Sequence, residues 1–348
     1  MKRKIFIDPR TRVSYASYYI YGMENIFGKC NVKFSMKYFK DLPQKNGLDD
    51  FDQYFAFVVT ENANICKRVV IDYRDKNTLN IKALNWSDVY GKVNLNLQTE
   101  DYKYLPETSQ KKIIAIGPNF AIKIWSNFDS YFKMIINYIK GLNRHPVNFR
   151  TFFAGYNWQI KRMSYEQYRI STPEKNYIFF ISTLYHHSDI FRSATNKFRA
   201  AFVRACKKSE IINFEGGLLA RGNHLHKEEY SDVIVNDYVP TNLFLEKIRK
   251  SFVVFNTPAV WGCHGWKLGE FLAMGKAIIS TPLLNEMPFQ FEHGKQVHFV
   301  QTEEDIDNAV KMIMNDSLYA QKLEKGAKEY FDNYLAPEKV IENLIKEI

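Results

Sequence analysis

Five residues with chemically useful side chains or flexible backbones crowd into one short stretch of the chain. In TPAVWGCHGWKLGEFLAMGKAIISTP, residues 257–282, these are Gly262, His264, Gly265, Lys267 and Glu270, all within nine residues. Glycines let a backbone approach a ligand closely. Lysine and histidine can donate to phosphate oxygens, whereas a carboxylate accepts hydrogen bonds from hydroxyl groups. The stretch therefore predicts a site for a ligand that carries both phosphates and hydroxyls.

The elements around this stretch would position its side chains. An apolar strand is predicted over 252–257, and a helix from Trp266 to Met274 with Gly275 as its C-terminal stop. In open α/β sheets, ligands bind beyond the carboxyl ends of the strands. The helix N-terminus with Lys267 would hold a diphosphate, and Glu270, one turn later, would face a ribose. The alternative is a surface Lys–Glu pair on an ordinary helix.

The composition describes a folded protein that suits anionic partners. A length of 348 residues predicts two domains, and 46% hydrophobic residues exclude a disordered chain. The formal net charge of +10 fits nucleotides, phospholipid headgroups or nucleic acid. The four cysteines form no CxxC pair, and neither a signal peptide nor an apolar run of 18 residues occurs. We expect a cytoplasmic protein, with contact to the inner face of the plasma membrane left open.

The order of predicted elements indicates an α/β fold. Segments of helical period alternate with short apolar runs, which is typical of parallel βαβ units. A change of pattern over 143–175 predicts a linker zone. The strands are predicted at 4–8, 32–36, 54–59, 68–73, 112–117, 176–183, 211–217, 252–257 and 276–281, and the main helices at 14–28, 127–142, 193–208, 242–251 and after 303.

The opening stretch also resembles the donor-binding lobe of GT-B fold glycosyltransferases, in particular the group 1, retaining-type family of bacterial capsule and O-antigen loci. On the pattern EFLAMGKAIISTP, Glu270 matches the second Glu of the family signature, Gly265 its loop glycine and Gly275 its helix-ending glycine. The segment NDYVPTNLFLEKIRKSFVVFNTP is similar to the part that holds the nucleotide base, which implies roles for Tyr238 and Val239. The similarity extends from about residue 176 to the end of the chain.

The resemblance implies an architecture and an activity. The fold would be two Rossmann-like lobes with a cleft between them and C-terminal helices that cross back to the first lobe. The domains would be an acceptor-binding 1–170, a nucleotide-sugar-binding 171–330 and a C-terminal helix 331–348 that packs on the first domain. The activity would move a hexose or related sugar from a nucleotide diphosphate sugar to a glycan or lipid-linked acceptor in surface polysaccharide synthesis. No metal and no further cofactor is expected.

The chain departs from the family signature in its charged residues. Gly262 stands where the first Glu would fall, and STLYHHSD, residues 182–189, lacks the Arg and Lys of the family. Arg192, Lys197, Arg199 or Lys267 would then supply the positive charge for the diphosphate, and His264 would contact phosphate or the donor sugar. Trp266 completes the predicted donor site. Retaining and inverting outcomes both stay open.

Candidates in the first domain follow its predicted strands. IDPRTR, residues 7–12, places Asp8, Arg10 and Arg12 directly after the first strand, and IGPNF places Asn119 after another. An inverting enzyme needs a base that deprotonates the acceptor hydroxyl. We predict Asp8 as that base, with Asp72 as second candidate, and Arg10, Arg12 and Asn119 on the acceptor side; strand-end capping is the alternative.

The sequence is also compatible with other functions. Residues 143–169 interleave basic and aromatic side chains, which suits an anionic bilayer, single-stranded nucleic acid or a helix with buried aromatics. A sugar-nucleotide epimerase or phosphorylase of GT-B-like fold is an alternative enzyme. A nucleic-acid-binding protein is a second alternative, although no basic block or helix-turn-helix pattern supports it.

Overall fold

The protein divides into two compact units. The computed structural model describes residues 3–44, 53–185, 190–220, 228–236 and 238–346, without the side chains of 190–193. The first unit comprises Met1–Tyr165, Asn285–Pro288 and Asn333–Ile348, and the second Glu166–Leu284 and Phe289–Asp332. Residues 333–348 thus lie with the N-terminal unit.

Strands and helices alternate along most of the chain. The strands are β1 (Arg3–Ile7), β2 (Val32–Phe34), β3 (Phe55–Glu61), β4 (Asn64–Asp72), β5 (Val89–Lys92), β6 (Ile113–Ala115), β7 (Tyr177–Thr183), β8 (Asn213–Leu219), β9 (Ile234–Val235), β10 (Val253–Asn256), β11 (Ala277–Ser280) and β12 (His298–Phe299). The helices are α1 (Val13–Phe27), α2 (Ile81–Trp86), α3 (Glu100–Lys103), α4 (Glu107–Gln110), α5 (Asn127–Lys140), α6 (Phe149–Ile160), α7 (Ile190–Lys208), α8 (Thr241–Lys250), α9 (Trp266–Met274), α10 (Asp305–Asn315), α11 (Ser317–Tyr330) and α12 (Pro337–Leu344). The predicted α/β class is confirmed.

The first unit contains a six-stranded sheet of order β2-β1-β3-β4-β5-β6. Its pairs are parallel except where β3 runs antiparallel to both β1 and β4. The expectation of purely parallel units was therefore wrong here. A tight hairpin joins β3 to β4 through Asn62 and Ala63, whose φ angles of 50° and 70° suit a two-residue turn between twisted strands.

Helix α6 occupies residues 149–160 of the zone predicted as a linker, and the boundary between the units, Tyr165/Glu166, falls within the same zone. The Asn148 side chain caps the helix by accepting from Thr151 N at 2.9 Å, and Phe152 and Tyr156 are buried. Phe152 and Tyr156 thus belong to the core of the first unit, whereas Phe149 and Trp158 are 47% and 50% exposed.

The C-terminal helix α12 packs closely on α1. A Cβ at Gly22 would lie 2.4 Å from the Pro337 carbonyl oxygen, so only glycine allows this approach. The Tyr18 hydroxyl also donates to Leu335 O. These contacts fix the last helix within the first unit.

The second unit contains two three-stranded parallel sheets, β7-β8-β9 and β10-β11-β12. The Phe252 N–H donates to Tyr177 O at 2.8 Å, which brings the start of β10 beside the start of β7. A shared apolar core from α7, α10 and the strands packs these elements together, and it includes Phe180, Phe202 and Phe255. No helix in the described part of the chain is long and apolar enough to cross a bilayer.

Candidate functional site

A cavity of about 340 Å³ lies in the second unit at the carboxyl ends of β7 and β10. Its walls come from strand ends, from α7 and from the first residues of α9, which is where α/β sheets place their ligands. The lining residues are Phe180, Ile181, Ser182, Thr183, Tyr185, Arg199, Leu219, Phe244, Phe255, Asn256, Thr257, Ala259, Gly265, Trp266 and Lys267.

Helix α9 begins and ends as predicted. Gly265 is its N-cap, and Gly275 ends it in the left-handed conformation at φ 66°. The first N–H groups of the helix, which have no partners within the helix itself, therefore start at the cavity wall. The structure brings Gly265, Trp266 and Lys267 to one place, as the sequence predicts.

Arg199 enters the cavity wall from α7 and is only 5% exposed. Its Nη1 donates to Thr183 O at 2.7 Å and its Nε to Thr257 Oγ1 at 3.0 Å. The guanidinium also lies 4.6 Å from the centre of the Tyr185 ring, and Nη2 is 3.5 Å from its hydroxyl. Burial lowers the pKa of Arg199, although Tyr185 raises it. The side chain is held rigidly between two strand ends.

Lys267 enters the same cavity from the first turn of α9. Its ammonium group donates to Ile181 O and lies 5.8 Å and 5.5 Å from the ring centres of Phe180 and Phe244. Burial and the nearby Arg199 lower the pKa of Lys267 to about 7, against the raising effect of Glu270. The charge on Lys267 is therefore poised near neutral pH and would be stabilised by an anion.

The cavity lining has a positive electrostatic character. Among the described residues that line it, two are cationic and none is acidic. Two cations together with a helix N-terminus form a binding place for an anion such as phosphate. This arrangement can stabilise negative charge on a bound group or on one that leaves during a reaction.

Glu270 and His264 lie next to the cavity without being part of its lining. Glu270 is one turn further along α9, 8% exposed, and close enough to raise the pKa of Lys267. His264 is 6% exposed, directly before the N-cap Gly265. Their predicted roles at a ribose and at a donor sugar remain predictions.

The loop between β10 and α9 contains a left-handed pair. Trp261 has φ 56° and Gly262 has φ 72°, and a Cβ on Gly262 would lie 2.7 Å from Leu284 Cδ1. Trp261 is nevertheless 47% exposed. The backbone therefore requires glycine at the place where the family signature has its first Glu.

Two predicted donor residues, Tyr238 and Val239, are absent from the described lining of the cavity. Tyr238 is 69% exposed and Val239 is half-buried, and neither is among the lining residues. The side chain of Arg192 lies outside the described part of the chain. The structure therefore adds no support for their predicted contacts with a nucleotide.

The sequence prediction missed several polar lining residues. Ser182 and Thr183 end β7 and Tyr185 follows it, while Asn256 ends β10 and Thr257 follows it. The sequence could have indicated them, because polar residues at the carboxyl end of a buried strand lie where α/β sheets bind their ligands.

In the first unit, Asp8 and Arg10 form a closed ion pair after β1. Arg10 Nε and Nη2 donate to the two Asp8 oxygens at 3.0 and 2.7 Å, and Gln44 Nε2 donates to Oδ2 at 2.8 Å. Arg10 Nη2 also donates to Phe39 O and Leu42 O. Because Asp8 is 0% exposed and both its oxygens are occupied, this geometry gives it a role in holding the loop and argues against the predicted general base.

Arg12 and Asn119, the other predicted acceptor residues, both lie near Tyr15. The Arg12 guanidinium is 4.8 Å from the Tyr15 ring centre, and Asn119 Nδ2 donates to Tyr15 O at 3.3 Å. Asn119 is 4% exposed. Its side chain therefore connects two segments of the first unit.

Asp72 repeats the Asp8 arrangement after β4. Arg74 Nε and Nη2 donate to its two oxygens at 2.9 and 2.7 Å, the Tyr90 hydroxyl donates at 2.5 Å, and Lys92 Nζ lies at 3.1 Å. Burial alone would raise the pKa of Asp72, but Lys92 and Arg74 outweigh it and hold this pKa well below its ordinary value. A carboxylate held in this way is a poor proton acceptor.

Comparisons with known proteins found similarity among solved structures alone. No protein-family model matches the chain, and no curated protein matches it. Among solved structures, the chain is similar to the C-terminal domain of a glycosyl transferase group 1 family protein (LpcC) from Francisella tularensis, with 15% identity over 49% of this chain and 89% of that one and a TM-score of 0.35. TarM shares 11% identity over 79% of this chain, which spans 48% of TarM, with a TM-score of 0.42.

A UDP-GlcNAc 2-epimerase from Neisseria meningitidis, solved with UDP-GlcNAc, shares 14% identity over 77% of this chain and 64% of that one, with a TM-score of 0.38. Among the described residues, no group of three or more His, Cys, Asp or Glu side chains is arranged to hold a metal ion.

Proposed function

We propose that this protein is a GT-B type glycosyltransferase that binds a nucleoside diphosphate sugar in the second unit. The observation that carries the proposal is the pairing of Arg199 and Lys267 in one cavity whose described lining contains no carboxylate. A diphosphate matches this site because it can contact both cations and the N–H groups of α9 together.

The proposed roles of these residues in sugar transfer follow from the negative charge that develops on the leaving diphosphate. When the bond between the sugar carbon and the diphosphate oxygen breaks, its electron pair passes to the diphosphate. Arg199, Lys267 and the α9 N-terminus would stabilise that charge, a kind of contribution worth about 10²–10³ in rate for each donor removed. The acceptor hydroxyl supplies the new bond to the sugar and loses its proton to a base that we leave unassigned. Glu270 would bind the ribose and His264 the donor sugar.

The finer assignment rests on the sequence resemblance. We propose a hexose or related sugar as the group transferred, and a glycan or lipid-linked glycan of bacterial surface polysaccharide as the acceptor. We further propose that no metal is needed, since Arg199 and a Lys267 that is protonated beside the bound diphosphate supply the positive charge that a divalent ion would otherwise bring.

Calorimetry with UDP and GDP in the presence of EDTA tests the proposal. We expect one of the two to bind, and the matching nucleoside without phosphates to bind at least tenfold more weakly. Arg199→Gln and Lys267→Met should each weaken binding, whereas Arg204→Gln, on the same helix but ion-paired with Asp232 at the surface, should not. Equal binding of nucleoside and diphosphate would overturn the phosphate assignment.

The reaction itself needs a separate experiment. A panel of nucleotide sugars is incubated with the protein and candidate glycan acceptors, and the products are analysed for free nucleotide and for the fate of the sugar. A glycosyltransferase releases the nucleoside diphosphate and lengthens the acceptor. Isomerised sugar nucleotide without an acceptor product would instead identify an epimerase.

A further inference from the structure

Helix α5 in the first unit turns apolar side chains towards solvent. Phe128, Phe132, Ile135 and Ile139 are 79%, 56%, 52% and 63% exposed. At 3.6 residues per turn these positions fall within a stripe of about 60°, which Tyr131 widens to about 100°. These residues form a continuous apolar stripe along one side of the helix.

The opposite side of α5 is buried and carries two polar residues, Ser130 and Asn137, beside the apolar Met134. Ser130 Oγ donates to Gln159 Oε1 at 3.1 Å, and Asn137 Nδ2 donates to the Tyr156 hydroxyl at 2.9 Å. Both residues are at most 2% exposed. Helices on the surface of soluble proteins normally place their apolar side inwards. Helix α5 buries Met134 on that side but leaves its main apolar stripe exposed, which marks the stripe as a candidate docking surface.

Neighbouring aromatic rings extend this stripe into a surface. Phe128 and Phe132 stack with ring centres 6.3 Å apart, and Tyr131 stacks on Phe153 of α6 at 5.9 Å. Phe149, at the start of α6, is 47% exposed. We define the α5 surface as Phe128, Tyr131, Phe132, Ile135, Ile139, Phe149 and Phe153.

The charge around the α5 surface is strongly positive. Residues 123–162 contain seven Lys and Arg and a single acidic residue, Asp129. Lys133 Nζ lies 5.1 Å from the Trp125 ring centre, Lys140 donates to Phe34 O and Arg144 donates to Lys40 O. These contacts hold basic groups on the same helix and its C-terminal extension.

We propose that the α5 surface docks on an anionic phospholipid bilayer. Basic residues beside a stripe of Phe and Ile are what an interfacial helix presents to such a membrane, since the apolar groups enter the acyl boundary and the cations contact the headgroups. A second copy of the chain fits less well, because two such surfaces would bring like charges together. The proposal centres membrane contact on α5 and includes Phe149 and Phe153 from the predicted segment 143–169, in which Phe152 and Tyr156 are buried instead. It does not depend on the reaction.

Flotation with vesicles tests the proposal on the full chain. The vesicles contain phosphatidylcholine and phosphatidylglycerol at about 70:30, with pure phosphatidylcholine as the neutral probe. We expect binding to the mixed vesicles that weakens as NaCl rises from about 0.1 to about 0.5 M. The double variant Phe128→Ser/Phe132→Ser should reduce the partition coefficient about tenfold or more, because two exposed rings no longer enter the bilayer.

Matched variants separate docking from folding. Tyr104→Ser and Leu318→Ser remove side chains that are 83% and 77% exposed elsewhere, and both should bind vesicles like the parent. The melting temperature and the nucleotide affinity of the Phe128/Phe132 variant should match those of the parent as well. Absence of vesicle binding, or equal binding by parent and double variant, would overturn the proposal. Self-association that the double variant abolishes, without vesicle binding, would assign the surface to a second copy instead.

Discussion

Arg199 on α7 and Lys267 on α9 both donate to carbonyl groups at the end of β7, Thr183 O and Ile181 O respectively. Two helices thus bring their cations to the end of the same strand. Because both side chains are fixed by backbone acceptors, their charges are positioned before any ligand arrives, which lowers the cost of organising the site.

The shape of the Arg199 guanidinium should matter as well as its charge. Arg199→Lys retains a cation but cannot contact Thr183 O and Thr257 Oγ1 together while it faces a diphosphate. We expect about a tenfold loss of nucleoside diphosphate affinity by calorimetry, and a larger loss for Arg199→Gln. If Lys restored full affinity, the planar hydrogen-bonding geometry would have no role.

Nucleotide binding should depend on pH through Lys267. The pKa of Lys267 is about 7, and an anion bound beside the amine raises it. The Lys267 amine therefore takes up a proton when the anion binds near or above neutral pH. The affinity should therefore be level below pH 7 and fall as the pH rises above it, by up to about tenfold per pH unit. Calorimetry in two buffers of different ionisation enthalpy measures the number of protons taken up on binding. Lys267→Met should abolish the proton uptake by this residue. A proton release on binding would contradict this model.

Glu270 should contribute through hydroxyl groups and not through phosphate. We expect Glu270→Gln to weaken the binding of a nucleoside diphosphate by about tenfold and to leave inorganic diphosphate binding unchanged, since only the nucleotide carries a ribose. Competition titrations with both ligands make the comparison. An equal loss for both would show that Glu270 acts through Lys267 instead.

The two loop glycines should respond differently to substitution. Gly262→Glu restores the family signature residue but forces a side chain into φ 72° and against Leu284, so we expect a loss of about 1–3 kcal/mol in unfolding free energy. Gly265 has φ −74°, which any residue can adopt, and a Cβ there would meet only Ala259 Cβ, at 3.6 Å. Gly265→Ser therefore fits the backbone and supplies a better N-cap.

We therefore expect Gly265→Ser to melt at or above the parent temperature while it binds nucleotide more weakly. Unchanged binding by Gly265→Ser would show that the ligand does not approach this glycine closely. A fully stable Gly262→Glu variant would show that the loop can adopt another conformation.

Asp8 should prove structural. Asp8→Asn leaves the buried Arg10 guanidinium without its carboxylate, and breaking such a pair costs about 3–5 kcal/mol of stability. Below the melting temperature of the variant, however, sugar transfer per folded molecule should change less than tenfold. Thermal melting and initial rates measure the two effects, and a hundredfold loss of rate in folded protein would restore Asp8 as a base.

Local patterns predicted the elements that depend on neighbouring residues. The bounds of α9 follow from its apolar spacing and from Gly275, and the strands β7, β10 and β11 fall within the predicted apolar runs. Strand β5, VYGK, was missed because it is short and ends in Lys92. That lysine is buried because Asp72 and Lys76 O compensate it, and such distant partners are not visible in a single sequence.

The candidate site was predictable to the same extent. Gly265, Trp266 and Lys267 are adjacent in the chain, so their grouping could be inferred, and Arg199 was one of several candidate cations. Its anchoring by Thr183 and Thr257 joins three separate elements and requires the fold. The hydrogen bond from Gln44 to Asp8 could not be predicted, because the two residues lie 36 positions apart in the chain.

The repeated Asp-x-Arg pairs at 8–10 and 72–74 also have a dynamic consequence. Arg10 holds its own loop through Asp8 and a remote segment through Phe39 O and Leu42 O, while Arg74 holds Thr78 O in addition to Asp72. Arg10 thus joins two distant stretches of backbone, whereas Arg74 closes one short loop. Local unfolding at the end of β1 would therefore release the residues near 39–42 together with the loop at 8–10.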